Sequence, residues 1–438
     1  MTGEALRLLP LARCCLVAAA AILPSTVGRA AAPAEEPRSY ADILRELTDL
    51  DRLTFLQKGC KGGLFSSWDR NGRKVWGANG DAGHYLRVEP NGEAVMADID
   101  GPGVIYRIWS ANPMGKLRLY LDGAQTPTYE WNFPDLFGGK LPPFEAPFVY
   151  RRDAEQSASD CYLPIPFAAH IKITADKAHG QYYQFNYVLF PKERPVASFR
   201  LPLSPEEARV LAAAADVWSH PGRDPKPRLA GQETIAMEIA PAPGGSVEIC
   251  ALRGTGVIRA VRARVSSDQR YAWRKLVLRG EWDGAGRPQV LTPLGPFFGF
   301  DWDTAEYGSV VAGCRDGLAY QFFPMPFRKS AVLTLENHLE APASVRIEIE
   351  WAPLTRLPDD AVYFYARWRS EPDCLTFDYP FLETAGRGHF VGCLLYTSDA
   401  ADDLLCVDLG GRRIITKKKH KTKENNNVYC IMTRPLRV

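Results

Sequence analysis

Between Phe65 and Tyr85 the chain reads FSSWDRNGRKVWGANGDAGHY, which is poor in aliphatic residues yet holds Trp68, Trp76 and Tyr85 among Asp69, Arg70, Asn79 and Asp81. Carbohydrate pockets use this mixture, because aromatic faces cover the apolar side of a sugar ring while carboxylates, amides and guanidinium groups bind its hydroxyls. The same residues also fit a solvated loop closed by Asx turns at Asn71-Gly72 and Asn79-Gly80, and the sequence leaves both readings open. Signatures of other chemistries are missing. There is no GxxxxGK[ST], no GxGxxG after a strand and no GxSxG. The seven histidines are dispersed without HxH or HExxH spacing, so no metal or other cofactor is expected, and His84 and His389 read as ordinary hydrogen-bonding residues. The carboxylates Asp69, Asp81, Asp283 and Glu336 have no spacing that pairs any two as acid and base.

The elements that must position such a pocket are strands, and they occur twice. GPGVIYRIW at 101–109 returns as GTGVIRAVR at 254–262, LRLYLDG at 117–123 as LVLRGEWDG at 276–284, and DLFGG at 135–139 as PFFGF at 296–300. YLPIPF at 162–167 then answers FFPMPF at 322–327, and YYQFNYVLFP at 182–191 answers VRIEIEWAP at 345–353. Constant order and a nearly constant offset are the mark of a tandem duplication. Val345, Ile347, Ile349 and Trp351 alternate with Arg346, Glu348 and Glu350, the period of a strand with one buried face. Short strands separated by Asp-Gly, Asn-Gly and Gly-Pro turns predict an all-β chain of two tandem jelly rolls. Because proline donates nothing to a ladder, Pro164, Pro166, Pro324 and Pro326 belong at a sheet edge or strand start, with Phe167 and Phe327 in the core. Ser204, Pro205 and Glu207 open a linker helix whose apolar face is Val210, Leu211, Ala214, Val217 and Trp218. A second helix is predicted from Ser39 to about Leu53, with Ile43, Leu44, Leu47 and Leu50 facing the core.

Composition sets the class. With 438 residues, 46% of them hydrophobic, the chain can bury a large core. Nine of the 53 Lys/Arg residues and five of the 51 Asp/Glu residues lie after Gly392, which leaves the body near neutrality and gives no electrostatic basis for binding nucleic acid or a membrane surface. Residues 1–30 have the layout of a secretory signal, with Arg7 and Arg13, an apolar run from Cys14 to Leu23 and small residues around Ala30. The mature chain is thus expected in an exported compartment. Outside that leader and the last 46 residues, five scattered cysteines with no CxxC spacing argue against a disulfide scaffold.

SSWDR, ADIDGPGVIYRIW, LYLDG, DLFGG, YLPIPF, PLGPFFG, FFPMPF and GRGHFVG occur in an order that resembles glycoside hydrolase family 172, over roughly residues 40–392. The resemblance implies a double jelly roll assembled as a homotrimer or larger ring, and cleavage of α-fructofuranosides or α-arabinofuranosides. It also implies a retaining mechanism, in which one glutamate attacks the anomeric carbon and another, about 5 Å away, protonates the leaving oxygen. On this basis Trp68, Asp69, Arg70, Asn79, Asp81 and Trp109 form the expected substrate-binding set. The family carries its glutamates beyond the GRGHFVG-like segment, in WWGEGD-like and GTGTEDY-like motifs, and neither motif occurs in this chain. The chain also departs from the family at Pro296, where an acidic residue is usual, and in a longer spacing between Asp69-Arg70 and Asn79-Gly80-Asp81.

After Gly392 the text changes character. One DNA sequence that would encode CLLYTSDAAD is TGT CTC TTA TAC ACA TCT GAC GCT GCC GAC, which resembles a transposase-type sequencing adapter read as protein, and a Lys- and Asn-rich run follows. The expected organisation is therefore a leader (1–30), a first jelly roll with its N-terminal helix (31–200), a linker helix (201–225), a second jelly roll (226–355), the start of a catalytic region (356–392) and a foreign, disordered tail (393–438). The functional expectation is a piece of a secreted α-furanosidase, inactive without its glutamates; the alternative is a non-catalytic carbohydrate-binding or structural jelly-roll protein.

Overall fold

The computed structural model describes residues 36–70, 83–111, 113–151, 158–176, 182–269, 271–300, 306–371, 382–396 and 426–434. Helix α1 (Tyr40–Arg45) and a 3-10 turn (Asp51–Thr54) open the described chain. The first group of strands is β1 (Lys61–Ser66), β2 (Arg87–Val88), β3 (Glu93–Asp100), β4 (Gly103–Ala111), β5 (Lys116–Leu121), β6 (Tyr129–Asn132), β7 (Val149–Arg151), β8 (Ala158–Cys161), β9 (Ile165–Phe167), β10 (His170–Asp176) and β11 (Tyr182–Leu189), with helix α2 (Phe133–Leu136) after β6. They make two antiparallel sheets, ordered β1-β11-β4-β8-β7 with β9 also on β4, and β2-β3-β10-β5-β6. Ile105 and Ile108 of one sheet share a core with Ile99, Leu117 and Ile173 of the other, so the pair is a sandwich.

Helix α3 (Pro205–Ser219) separates this sandwich from the next. The second group holds β12 (Glu233–Ile239), β13 (Ser246–Arg253), β14 (Gly256–Ser266), α4 (Ala272–Lys275), β15 (Leu276–Trp282), β16 (Val290–Pro293), α5 (Leu294–Phe297), β17 (Tyr307–Gly308), β18 (Ala312–Arg315), β19 (Leu318–Gln321), β20 (Met325–Phe327), β21 (Ser330–Asn337) and β22 (Ser344–Pro353), followed by β23 (Tyr363–Glu371), β24 (His389–Tyr396) and β25 (Asn426–Arg434). Its sheets run β12-β22-β14-β19-β18-β17, with β20 on β14, and β13-β21-β15-β16-β23-β25-β24. The β16–β23 contact is parallel, which marks where the repeated unit ends and added strands begin.

The duplication is visible in the hydrogen bonds. Gly101 N–H donates to Ala169 O at 2.6 Å, as Gly254 N–H does to Lys329 O at 2.8 Å. Asp122 and Asp283 both adopt positive φ, 53° and 59°, at the end of β5 and β15. Asp122 Oδ1 accepts from the N–H groups of Ala169 and His170; Asp283 Oδ1 accepts from those of Arg328, Lys329 and Ser330. Each carboxylate thereby satisfies the corner before the next strand, and the hydrogen bonds hold it in a conformation that side chains other than glycine rarely adopt. The proline motifs sit where their chemistry predicts, in the three-residue strands β9 and β20 against the start of β4 and β14, and Phe167 and Phe327 are fully buried.

Both predicted helices form, one of them shorter than predicted. Helix α3 starts at the Ser204/Glu207 capping box and packs Val210, Leu211, Ala214 and Trp218 against the first core. Helix α1 begins at the Ser39 cap as predicted but ends at Arg45, short of Leu53. Beyond it the Asp49 carboxylate accepts from Arg52 N–H at the start of the 3-10 turn, a local side-chain bond that competes with α-helical pairing. Two stretches of the expected tail are described, and both are strand. Residues 393–396 finish β24, and β25 pairs antiparallel with both β23 and β24. NNVYCIMTR is locally rich in strand formers, a signal that the composition of the whole tail averages away. The leader lies outside the described residues, and among the described cysteines Cys60, Cys161, Cys250 and Cys314 are free thiols.

Candidate functional site

Four of the six expected binding residues are described; Asn79 and Asp81 lie outside the described residues. Trp68, Asp69 and Arg70 follow the last residue of β1, an edge strand. Ser67 locks this exit, its N–H donating to Tyr183 O and its Oγ accepting from Tyr183 N–H, both at 3.2 Å. Trp68 is 52% exposed, whereas Asp69 is buried. Arg70 donates from Nη2 to Ser66 O at 2.8 Å and holds its guanidinium carbon 6.0 Å from the Trp68 ring centroid. Tyr183 anchors the same corner from the core side: its hydroxyl donates to His84 O at 2.7 Å, and burial pushes that hydroxyl up to about 12.

Trp109 stands two strands away on the same sheet. Paired residues of neighbouring strands share a face, so register alone builds a row on the side away from the core: Ser66 on β1, Gln184 on β11, Trp109 on β4, Asp160 on β8 and Tyr150 on β7. The next row of that face contains Asn186 and Arg107. Trp109 is half-buried and its neighbours are covered. Arg107 donates from Nε to Asp160 Oδ1 at 2.9 Å, and from Nη1 to Gln184 Oε1 at 3.0 Å and to Asn186 Oδ1 at 3.3 Å. Its guanidinium lies 5.9 Å from the centroid of Tyr162, and the Arg107 and Asp160 side chains are only 6% and 1% exposed.

The structure thus brings Trp68 and Trp109 to one end of one sheet and adds four residues that sequence reasoning missed: Arg107, Asp160, Gln184 and Asn186. Their signal is weak, since a lone polar residue alternating with aliphatics in YRIW or QFN reads as a solvent-facing strand position. Only pairing between segments more than 50 residues apart buries it. The other carboxylates serve the framework. Asp283 closes the β20–β21 corner and also accepts from the Tyr363 hydroxyl at 2.5 Å, while Glu336 lies 3.3 Å from His338. Glu336 and His338 border a depression of about 240 Å3 together with Gly244, Gly245, Ser246 and Asn337, and no Trp, Tyr or Phe lines it. Among the described residues no group of three His, Cys, Asp or Glu side chains is placed to hold a metal ion.

Comparison with known families decides the relationship. A model described as the GH172 first beta-sandwich domain matches residues 58–207, and one described as GH172 domain-like matches residues 231–348, together more than half of the chain. The chain belongs to glycoside hydrolase family 172. The first GH172 match covers β1 to β11, the sandwich that bears Trp109 and Arg107; the second covers β12 to β21 and enters β22. The family sequence is therefore laid over both copies of the duplicated sandwich. No curated protein matches the chain. Solved structures with a likeness to this GH172 chain include the crystal structure of the STIV MCP, at 11% identity over 67% of this chain and 96% of that one with a TM-score of 0.18. Another is the infectious bursal disease virus VP2 subviral particle, at 9% identity over 87% and 77% of the two chains with a TM-score of 0.17.

Proposed function

We propose that this glycoside hydrolase-like chain binds α-furanosides, of the fructofuranosyl or arabinofuranosyl class, on the outward face of its first sandwich. The observation that carries the reading is the half-buried Trp109 indole set between Gln184 and Asp160 on that face, with exposed Trp68 at the neighbouring corner. An indole offers an apolar plate for one side of a sugar ring, and charged groups near its rim supply hydrogen bonds to hydroxyls. Exposed Trp68 and Arg70 at the exit of β1 extend the surface. Export through residues 1–30 and assembly into a trimer or larger ring belong to the same reading and rest on the leader-like N-terminus and the family likeness.

Retaining hydrolysis of a furanoside needs one carboxylate as nucleophile and one carboxylic acid on the leaving oxygen. The 438 residues contain neither of the family's glutamate motifs, and the other carboxylates weighed as a pair serve the framework at Asp283 and stand beside His338 at Glu336. This polypeptide therefore holds a furanoside without cleaving it. Ligand-observed NMR with methyl α-arabinofuranoside, a fructose disaccharide and a glucopyranoside control checks the binding, and release of aryl alcohol from an aryl α-arabinofuranoside checks turnover. Saturation transfer to the furanosides alone, with no alcohol released, is the expected result. Equal transfer to the pyranoside, or steady release of alcohol, would overturn the reading.

A further inference from the structure

The two copies of the sandwich provide an internal control for the buried polar cluster. With Gly101 aligned on Gly254, Arg107 corresponds to Ala260 and Trp109 to Arg262. The ladders extend the match across the sheet: Cys161 pairs with Ile108 as Gln321 pairs with Val261, so Asp160 corresponds to Tyr320, and Gln184 and Asn186 correspond to Glu348 and Glu350. The bulge residue preceding the cluster, Tyr106 in one copy and Arg259 in the other, occupies the same place. In the second copy the Arg107 and Asp160 positions are apolar, with Ala260 and Tyr320 covered in a cluster with Phe322 and Leu50, while Glu348 and Glu350 keep the other two polar. The fold thus forms with the same strand order and the same bulge whether the position carries Arg-Asp or Ala-Tyr.

A buried ion pair loses the hydration of both partners, and well-packed apolar residues often replace it at no cost in stability. The framework consequently gives no reason for Arg107 and Asp160 to differ from Ala260 and Tyr320. What distinguishes the first copy is its neighbour, an indole where the second copy has Arg262 paired with Glu350. Asp160 and Gln184 stand on the strands flanking Trp109, and Arg107 ties them together from the next position of β4 on the same face. Resting on the carbohydrate reading above, we propose that Arg107, Asp160, Gln184 and Asn186 are positioning residues for furanoside binding, which hold the Trp109 plate and the polar rim beside it in fixed register. They act through Trp109, because their own polar groups lie beneath the surface.

Substituting the second copy's residues into the first tests this. The double variant Arg107→Ala/Asp160→Tyr and the conservative Asp160→Asn are compared with the parent chain by thermal unfolding and by titration with methyl α-arabinofuranoside. The double variant is expected to keep a Tm within a few degrees of the parent, or above it, and to lose at least about tenfold in affinity, which corresponds to about 1.4 kcal/mol. Asp160→Asn, which keeps shape and removes charge, is expected to fall between the two in affinity. Parental affinity in the double variant, or its unfolding while Asp160→Asn binds like the parent, would make the cluster a framework element and overturn the proposal, leaving the carbohydrate reading intact. Absence of any furanoside binding by the parent chain would instead overturn the carbohydrate reading, and this proposal with it.

Discussion

Lys226 brings a charge into the seam between the linker and the second sandwich. Its Nζ lies 2.8 Å from Asp224 Oδ1 and 2.6 Å from Phe322 O, 5.2 Å from the Phe322 ring centroid, with the side chain 1% exposed. Burial pushes the amine down to about 8, against 10.5 for an exposed lysine, although Asp224 works in the other direction. Below pH 8 both folded and unfolded chains carry the proton, and the folded state bears the full desolvation cost. Between pH 8 and 10.5 the unfolded chain binds more protons, so stability gained from this group rises with pH, by about 3 kcal/mol at most. Urea midpoints measured from pH 8 to 10 should rise in the parent relative to Lys226→Met; a constant difference between the two would contradict the placement of the charge. At this scale the sequence is only partly legible. Trp68 stands out because aromatic residues in polar company are unusual, and Trp109 through the motif that carries the family resemblance, whereas Lys226, Arg107 and Asp160 look like ordinary surface charges until distant strands cover them.

Elements were far easier to read, because each device that shapes a strand leaves a local mark. The glycine-flanked starts of β4 and β14 are one such mark. A Cβ at Gly103 would stand 2.6 Å from Phe167 Cζ and 2.8 Å from Val188 O, and one at Gly256 2.7 Å from Phe327 Cζ and 2.9 Å from Ala352 O. Both glycines are thus required by the Phe of a PxPF motif packed on the strand. Gly103→Ala and Gly256→Ala should each destabilise by about 1–3 kcal/mol, the usual cost of overfilling a packed core, as read by equilibrium urea unfolding. A neutral result at either site would mean that the repeated motifs do not do the same work. Bulges were not legible. Tyr106 and Arg259 are each skipped in the ladder with the neighbouring strand, as are Met96 and Ile249, and no residue type announces such a skip. The bulges matter because they re-aim a side chain: Tyr106 donates its hydroxyl to Glu46, and Arg259 donates to Asp51 at 2.5 Å.

Those two contacts belong to the whole molecule. Residues 40–56 touch the first sandwich through Tyr106, helix α3 through the Trp218 indole, which donates to Leu47 O at 3.0 Å, and the second sandwich through Arg259. They then reach the strands added beyond the repeat, where Val362 N–H donates to Thr54 O at 2.8 Å and Phe55 O lies 2.8 Å from His389 Nε2. One N-terminal segment is therefore bonded to both sandwiches, to helix α3 and to residues beyond the repeat, a role that its sequence, read as a single amphipathic helix, did not reveal. The duplication itself was legible, because short motifs with fixed roles kept both order and spacing. The difference between the outward faces of the copies was not, since it lies in five side chains that distant pairing brings together. The account turns on that face, and a crystal of the chain soaked with an arabinofuranose oligosaccharide tests it most directly. A furanose ring stacked within about 4 Å of the Trp109 indole is the predicted outcome; a sugar bound elsewhere on the molecule, with that indole bare, would contradict it.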